Sequence, residues 1–140
     1  MAITQTQCTI FKENLLKAAE NFTLASPYVY KIALYTASAN LNAGTLIYST
    51  TDEITGTGYT AGGEVLTVIP PAYSGSTAYI SFNTVVWDPA SFTCRGALIY
   101  NSTTGAAVAV LNFGADKTAT NTFTITFPTA DASNAILRIS

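Results

Sequence analysis

Any chemistry in this chain has to come from a short set of side chains. There is no histidine among its 140 residues. That removes the commonest general base, the usual nucleophile triads and most transition-metal sites. Cys8 and Cys94 are its two cysteines, and Cys94, with no histidine to activate it, reads as a small core residue rather than a nucleophile. Asp52 and Glu53 are the close pair of carboxylates, the kind of pair that hydrolyses glycosides. Adjacent strand residues point to opposite faces, so the two are not expected to share a substrate. The run Gly56-Thr-Gly-Tyr-Thr-Ala-Gly-Gly63 has the glycine density of a phosphate cradle. Its spacing matches neither nucleotide fingerprint, no lysine follows it and no helix is expected to begin there. A turn and a bulge are expected instead, with Tyr59 packing at an edge. Asp88, Asp116 and Asp131 lack the spacing of a calcium loop. Tyr28, Tyr30, Tyr48, Tyr73 and Tyr79 would make a sugar-binding platform if they shared a surface, and core or subunit-interface packing explains them equally well. The residues therefore nominate no catalytic, cofactor-binding or metal-binding position, and no enzyme is expected.

The elements that would position these residues are strands. Ser91 to Tyr100 alternates Cys94, Gly96, Leu98 and Tyr100 against Thr93, Arg95, Ala97 and Ile99. A strand apolar on both faces toward its end belongs inside a sheet. Arg95 is then a guanidinium on or near a buried strand, and it needs a structural partner for its donors. Tyr28–Tyr35, Thr45–Ser49, Glu64–Ile69, Ala78–Phe82, Val85–Trp87, Ala106–Phe113, Thr122–Phe127 and Ala135–Ile139 read as further extended segments. Pro70-Pro71 is expected to stop one of them, and Asn101–Gly105 and Asp116–Asn121 to be loops. Residues 1–8 read as a polar arm. Thr9 is expected to cap a short helix over residues 9–22, with Phe11, Leu15, Ala18 or Ala19, and Phe22 on its apolar stripe. The expected architecture is mainly β: one domain over residues 9–140, a single antiparallel β-sandwich of jelly-roll type with that N-terminal helix.

The totals narrow the function classes. Charged residues make up 10% of the chain, against about 25% in an ordinary globular domain. Hydroxyl-bearing and β-branched residues take their place, which leaves a neutral exterior suited to packing against other proteins. The net charge is −2 and the six basic residues are dispersed, so nucleic acid is not an expected partner. The longest apolar run, Ala106–Leu111, is too short to cross a bilayer, and the first residues lack the pattern of a signal peptide. Synthesis in the cytoplasm, with both thiols free, is the expectation. The matches to the glycosylation pattern at Asn21 and Asn101 then carry no weight.

Several blocks together resemble a family of small structural proteins of tailed bacteriophages. They are Lys31–Tyr35, Gly56–Gly63, Arg95–Tyr100, Ala107–Gly114 with Asp116-Lys117, Phe123–Pro128 and Ala135–Arg138. The resemblance runs from the region of Phe11 to the C-terminus. It implies a virion component without catalytic residues: a capsid decoration or cement protein on the outer surface of the head, with the major capsid protein as partner, made in the host bacterial cytoplasm. It also leaves a tail or collar position, or a carbohydrate-binding β-sandwich on the virion, as alternatives. Cys94 stands where a smaller residue would be expected. A homo-oligomer, trimer ahead of dimer, fits the tyrosine-rich, charge-poor exterior.

Overall fold

The computed structural model describes residues 2–139. Its elements are β1 (Thr6–Gln7), α1 (Thr9–Leu16), β2 (Tyr30–Tyr35), β3 (Glu64–Val65), β4 (Val68–Ser74) and β5 (Thr77–Phe82), followed by β6 (Val85–Trp87), β7 (Phe92–Asn101), β8 (Ala107–Ala119), β9 (Phe123–Ile125) and β10 (Leu137–Ile139). The fold is mainly antiparallel β with one short helix, as the alternation of the sequence predicts. A five-stranded sheet in the order β1-β8-β7-β2-β3 packs with a three-stranded sheet, β10-β5-β4, and a two-stranded one, β6-β9. This five, three and two partition is consistent with the β-sandwich-like fold expected.

The middle of the large sheet is β7, paired with β2 on one side and β8 on the other. Both neighbours are long and apolar, so Ala97, Leu98 and Ile99 are all fully buried whichever face they point to. That is why the strand reads as a continuous apolar run rather than as an alternation. On one face, Tyr30 of β2 stacks on Phe22, which meets Phe82 of β5 edge to face. Phe82 in turn meets Phe127. A separate aromatic group, Trp87, Phe92 and Phe123, lies at the two-stranded sheet and meets Tyr59 of the chain between β2 and β3. On the other face, the chain between β2 and β3 covers Tyr35 and Tyr100: the Tyr35 hydroxyl donates to the Ser49 carbonyl and Tyr48 stacks on Tyr100.

Several boundaries differ from those expected, for identifiable reasons. The helix ends at Leu16 rather than continuing to residue 22, because Ala18 turns the chain at φ 59°. Phe22 is still buried, but from an extended segment. The N-cap is Cys8 rather than Thr9, with no side-chain cap. Residues 3–8 are not a free arm: Ile3 is buried against Gly96, Thr6 and Gln7 pair with β8, and Cys8 is fully buried. Thr45–Ser49 contributes only a bridge between Ile47 and Ala106. Pro70 and Pro71 do not end β4. They sit where its register shifts between Ile69 and Ala72, on an edge strand that tolerates missing donors. Asp116 to Ala119 belongs to β8, re-paired with β7 beyond a bulge between Cys94 and Gly96.

Candidate functional site

Arg95 lies on the interior strand, yet its side chain is not interior. The bulge in β8 lets the guanidinium out beside Asp116, with Nε to Oδ1 at 2.9 Å. The two side chains are 37% and 54% exposed, so this is a surface ion pair and not the buried one expected from the strand. Such a pair contributes at most about 1 kcal/mol.

The polar centre of the molecule is Glu53 instead. Residues 36–63 have almost no regular structure, and a loop over a sheet face has to satisfy its backbone groups some other way. Glu53 Oε1 accepts the Tyr48 hydroxyl at 2.6 Å, while Oε2 accepts the Tyr59 hydroxyl and the Gly62 N–H. Tyr59 also accepts the backbone N–H of Leu34, and the Leu34 carbonyl accepts from Ile54, so the loop seals the open edge of β2. Tyr100 donates to the Gly62 carbonyl at 2.6 Å. Burial raises the Tyr35, Tyr48 and Tyr59 hydroxyls well above the ordinary phenol range, and the Glu53 carboxylate raises them further. Tyr100 is pushed up to about 12 by burial and by Glu53. These hydroxyls are donors that stay protonated; none is poised to act as a base.

The glycine run closes this arrangement. Gly58 has φ +86°, and a Cβ there would meet the Pro89 carbonyl oxygen at 1.8 Å; at Gly63, φ +79°, it would meet the Ile32 carbonyl oxygen at 1.8 Å. The glycines let the loop press onto the backbone of its neighbours. No helix begins there.

A second polar knot lies under the aromatic layer. Glu20 is 7% exposed; its Oε1 accepts the Tyr30 hydroxyl at 2.9 Å and Asn101 Nδ2 at 3.0 Å, while Oε2 is buried without a partner. Desolvation raises its pKa above the carboxylate range, against the opposing pull of those hydrogen bonds. Glu20 did not stand out in the sequence, and Glu53 did so only as the neighbour of Asp52. Glu20 lies off the helical stripe and Glu53 sits in an unpatterned loop, so periodicity carried no signal for either.

The remaining candidates are not brought together. Asp52 is an exposed turn residue at φ 62°, while Glu53 points into the tyrosines, so the adjacent carboxylates share no cleft. Cys94 and Cys8 are free and buried, with burial pushing their thiols up to about 12 and about 11. Among the described residues no three of the His, Cys, Asp and Glu type cluster to hold a metal ion. Asp116 pairs with Arg95, Asp131 caps the Ser133–Asn134 turn, and Asp88 is an exposed turn residue. Of the five tyrosines, Tyr30 is buried, Tyr28, Tyr48 and Tyr79 are half-buried, and Tyr73 stands out alone at 80% exposure. They do not form a platform. Asn101 is fully buried, out of reach of glycosylation in the folded protein.

No helix among the described residues is long and apolar enough to cross a membrane. The chain matches no protein-family model, no curated protein and no solved structure.

Proposed function

We propose that this protein is a non-enzymatic virion structural protein that decorates and stabilises the outer surface of a tailed-bacteriophage head. The partner is the major capsid protein, and the decorating unit is a homo-oligomer, trimer ahead of dimer. The observation that carries this reading is the kind of surface the fold presents. Large apolar side chains stand out at the end of the helix, on turns and on strand edges, among them Leu16 at 91% exposure, Leu24, Ile47 and Tyr73. They sit among very few charges. Surfaces of this composition gain by being covered. The buried, fully protonated hydroxyls and the raised thiols offer no nucleophile, which fits a role without chemistry.

The segment before α1 has a different part in this reading from the one the sequence suggested. Residues 3–8 are already tied to β8 and to Leu41, so contact with the shell falls to the exposed apolar turns rather than to a disordered arm. Binding through such turns depends on apolar area and responds weakly to salt. The scattered tyrosines give no particular support to a carbohydrate-binding role.

The test mixes purified protein with heads that lack it, and follows co-sedimentation and heat-induced DNA release. Saturable binding at copy numbers set by capsid symmetry, with DNA released at higher temperature, is the expected result. Binding at a single vertex, or to host glycans and not to heads, would move the protein to the tail or collar.

A further inference from the structure

An apolar cleft of about 160 Å³ opens between α1 and the β5–β10 pair, lined by Phe11, Leu15, Phe22, Ile80 and Leu137. Beside it lies a polar recess of about 350 Å³ that includes Thr77 and Ile136. Gln7 and Arg138 line both. The cleft therefore has an oily floor and a guanidinium at the mouth, and nothing in the folding of the chain requires either to stay open. An enclosed apolar cavity of about 150 Å³ engineered into another protein binds benzene, and this cleft offers similar apolar room while being open on one side.

The state of Arg138 decides what the second half of a ligand must be. Among the described residues its guanidinium makes hydrogen bonds only through Nη1, to the carbonyls of Ser133 at 2.7 Å and Ala132 at 3.5 Å. Neutral carbonyls orient the group without cancelling its charge. An acid that feels its charge is Asp131, whose pKa is lowered mainly by its hydrogen bonds and slightly by Arg138. That carboxylate is committed to the Asn134 side chain and to the backbone N–H groups of Ser133 and Asn134. Its Nε and Nη2 make no hydrogen bond among the described residues, and a guanidinium with an unused edge is matched by a carboxylate.

We propose that this cleft is a binding site for small amphipathic carboxylates, in which an aryl or short alkyl group of about phenyl size fills the apolar part. The carboxylate lies on Arg138 at the junction with the polar recess, with Gln7 beside it. The site does not rest on the proposed capsid contact, because its lining comes from β1, α1, the segment after α1, β4, β5 and β10 of one chain.

The probe is 3-phenylpropanoate, titrated into isotopically labelled protein and followed by amide and side-chain resonances. The neutral analogue 3-phenylpropan-1-ol serves as control. The acid is expected to bind with a dissociation constant on the order of 1 mM, given its few atoms, and to shift Phe11, Ile80, Leu137 and Arg138. The alcohol, lacking the charge-assisted hydrogen bond, should bind about tenfold more weakly. Arg138→Gln should reduce the acid to the level of the alcohol while leaving the alcohol unchanged. Ala78→Phe, which fills the cleft from an exposed strand position, should abolish both. Spectra of the unliganded variants report whether each is folded. Equal affinities for acid and alcohol, an acid affinity unaffected by Arg138→Gln, shifts that map away from α1, β5 and β10, or no shifts at the solubility limit would each overturn the proposal.

Discussion

The two faces of the five-stranded sheet are covered in opposite ways. One face is covered by aromatic rings: Phe22, Phe82 and Phe127 touch in a chain, with little polar content beyond Glu20 and its two partners. The other is covered by irregular chain whose position is fixed by hydroxyls converging on Glu53. Packing on the first face is non-directional, so any large apolar residue of the right volume contributes. Packing on the second depends on direction and on one carboxylate, so it has a single point of failure. The first kind of cover makes the domain fold; the second decides what shape its surface takes.

The comparison is broken most severely on the aromatic side. Phe82 is buried and meets both Phe22 and Phe127, so Phe82→Ala removes the ring that joins the β5 sheet to the β2 face. A loss of about 3–5 kcal/mol is expected, seen as one cooperative transition moved to lower denaturant concentration by every probe. On the other side, Glu53→Ala leaves the Tyr48 and Tyr59 hydroxyls and the Gly62 N–H without their acceptor. The expected cost is smaller, about 2–3 kcal/mol, and local. Hydrogen exchange should speed up at Leu34, Ile54 and Gly62 while the amides of β7 and β8 keep their protection. If Glu53→Ala instead lowers protection throughout the sheet, the two covers are not separable.

The same contrast marks what was legible in the sequence. Tyr30–Tyr35, Thr77–Phe82 and Phe92–Asn101 were found because alternation and continuous apolar runs are statements about burial, and burial made them strands. The glycine run was read as a turn and a bulge; Gly58 and Gly63 do take positive φ, and the structure adds their clearance against carbonyl oxygens. What the sequence hid is side-chain direction. In an unpatterned loop nothing announces that Tyr48 and Tyr59, five and six residues away, converge on Glu53, and nothing near Glu20 places it against Asn101, 81 residues away. Residues 3–8 looked like an arm because their partners on β8 lie at the far end of the chain. The extra residues of the β8 bulge hid the exit of Arg95.

Glu20 is the polar exception on the aromatic face, and its pH response sharpens the contrast. Burial raises its folded-state pKa above the unfolded value of about 4.3. The folded protein therefore holds the proton more tightly than the unfolded chain does. The stability Glu20 contributes is complete below the unfolded pKa and is lost as pH rises through the folded one. Glu20→Gln keeps an acceptor for Tyr30 and Asn101 and cannot ionise. The variant should lie within about 1 kcal/mol of the wild type at acid pH and gain on it as pH rises toward neutrality. Denaturant melts of both proteins across that range give the comparison directly, and a difference independent of pH would mean that Glu20 titrates normally.

The smallest effect is expected at Arg95, although most of its strand is buried. What decides the cost of losing a charge is the environment of its head group, not that of its backbone. Here the guanidinium and the Asp116 carboxylate both reach water, so each is hydrated when its partner is removed. Arg95→Ala and Asp116→Ala should each cost no more than about 1 kcal/mol, and the coupling from a double-mutant cycle should be smaller still. Added salt should weaken that coupling, as it does for exposed pairs. A loss of about 3 kcal/mol or more from Arg95→Ala, insensitive to salt, would place the pair in the interior and remove the role given to the β8 bulge.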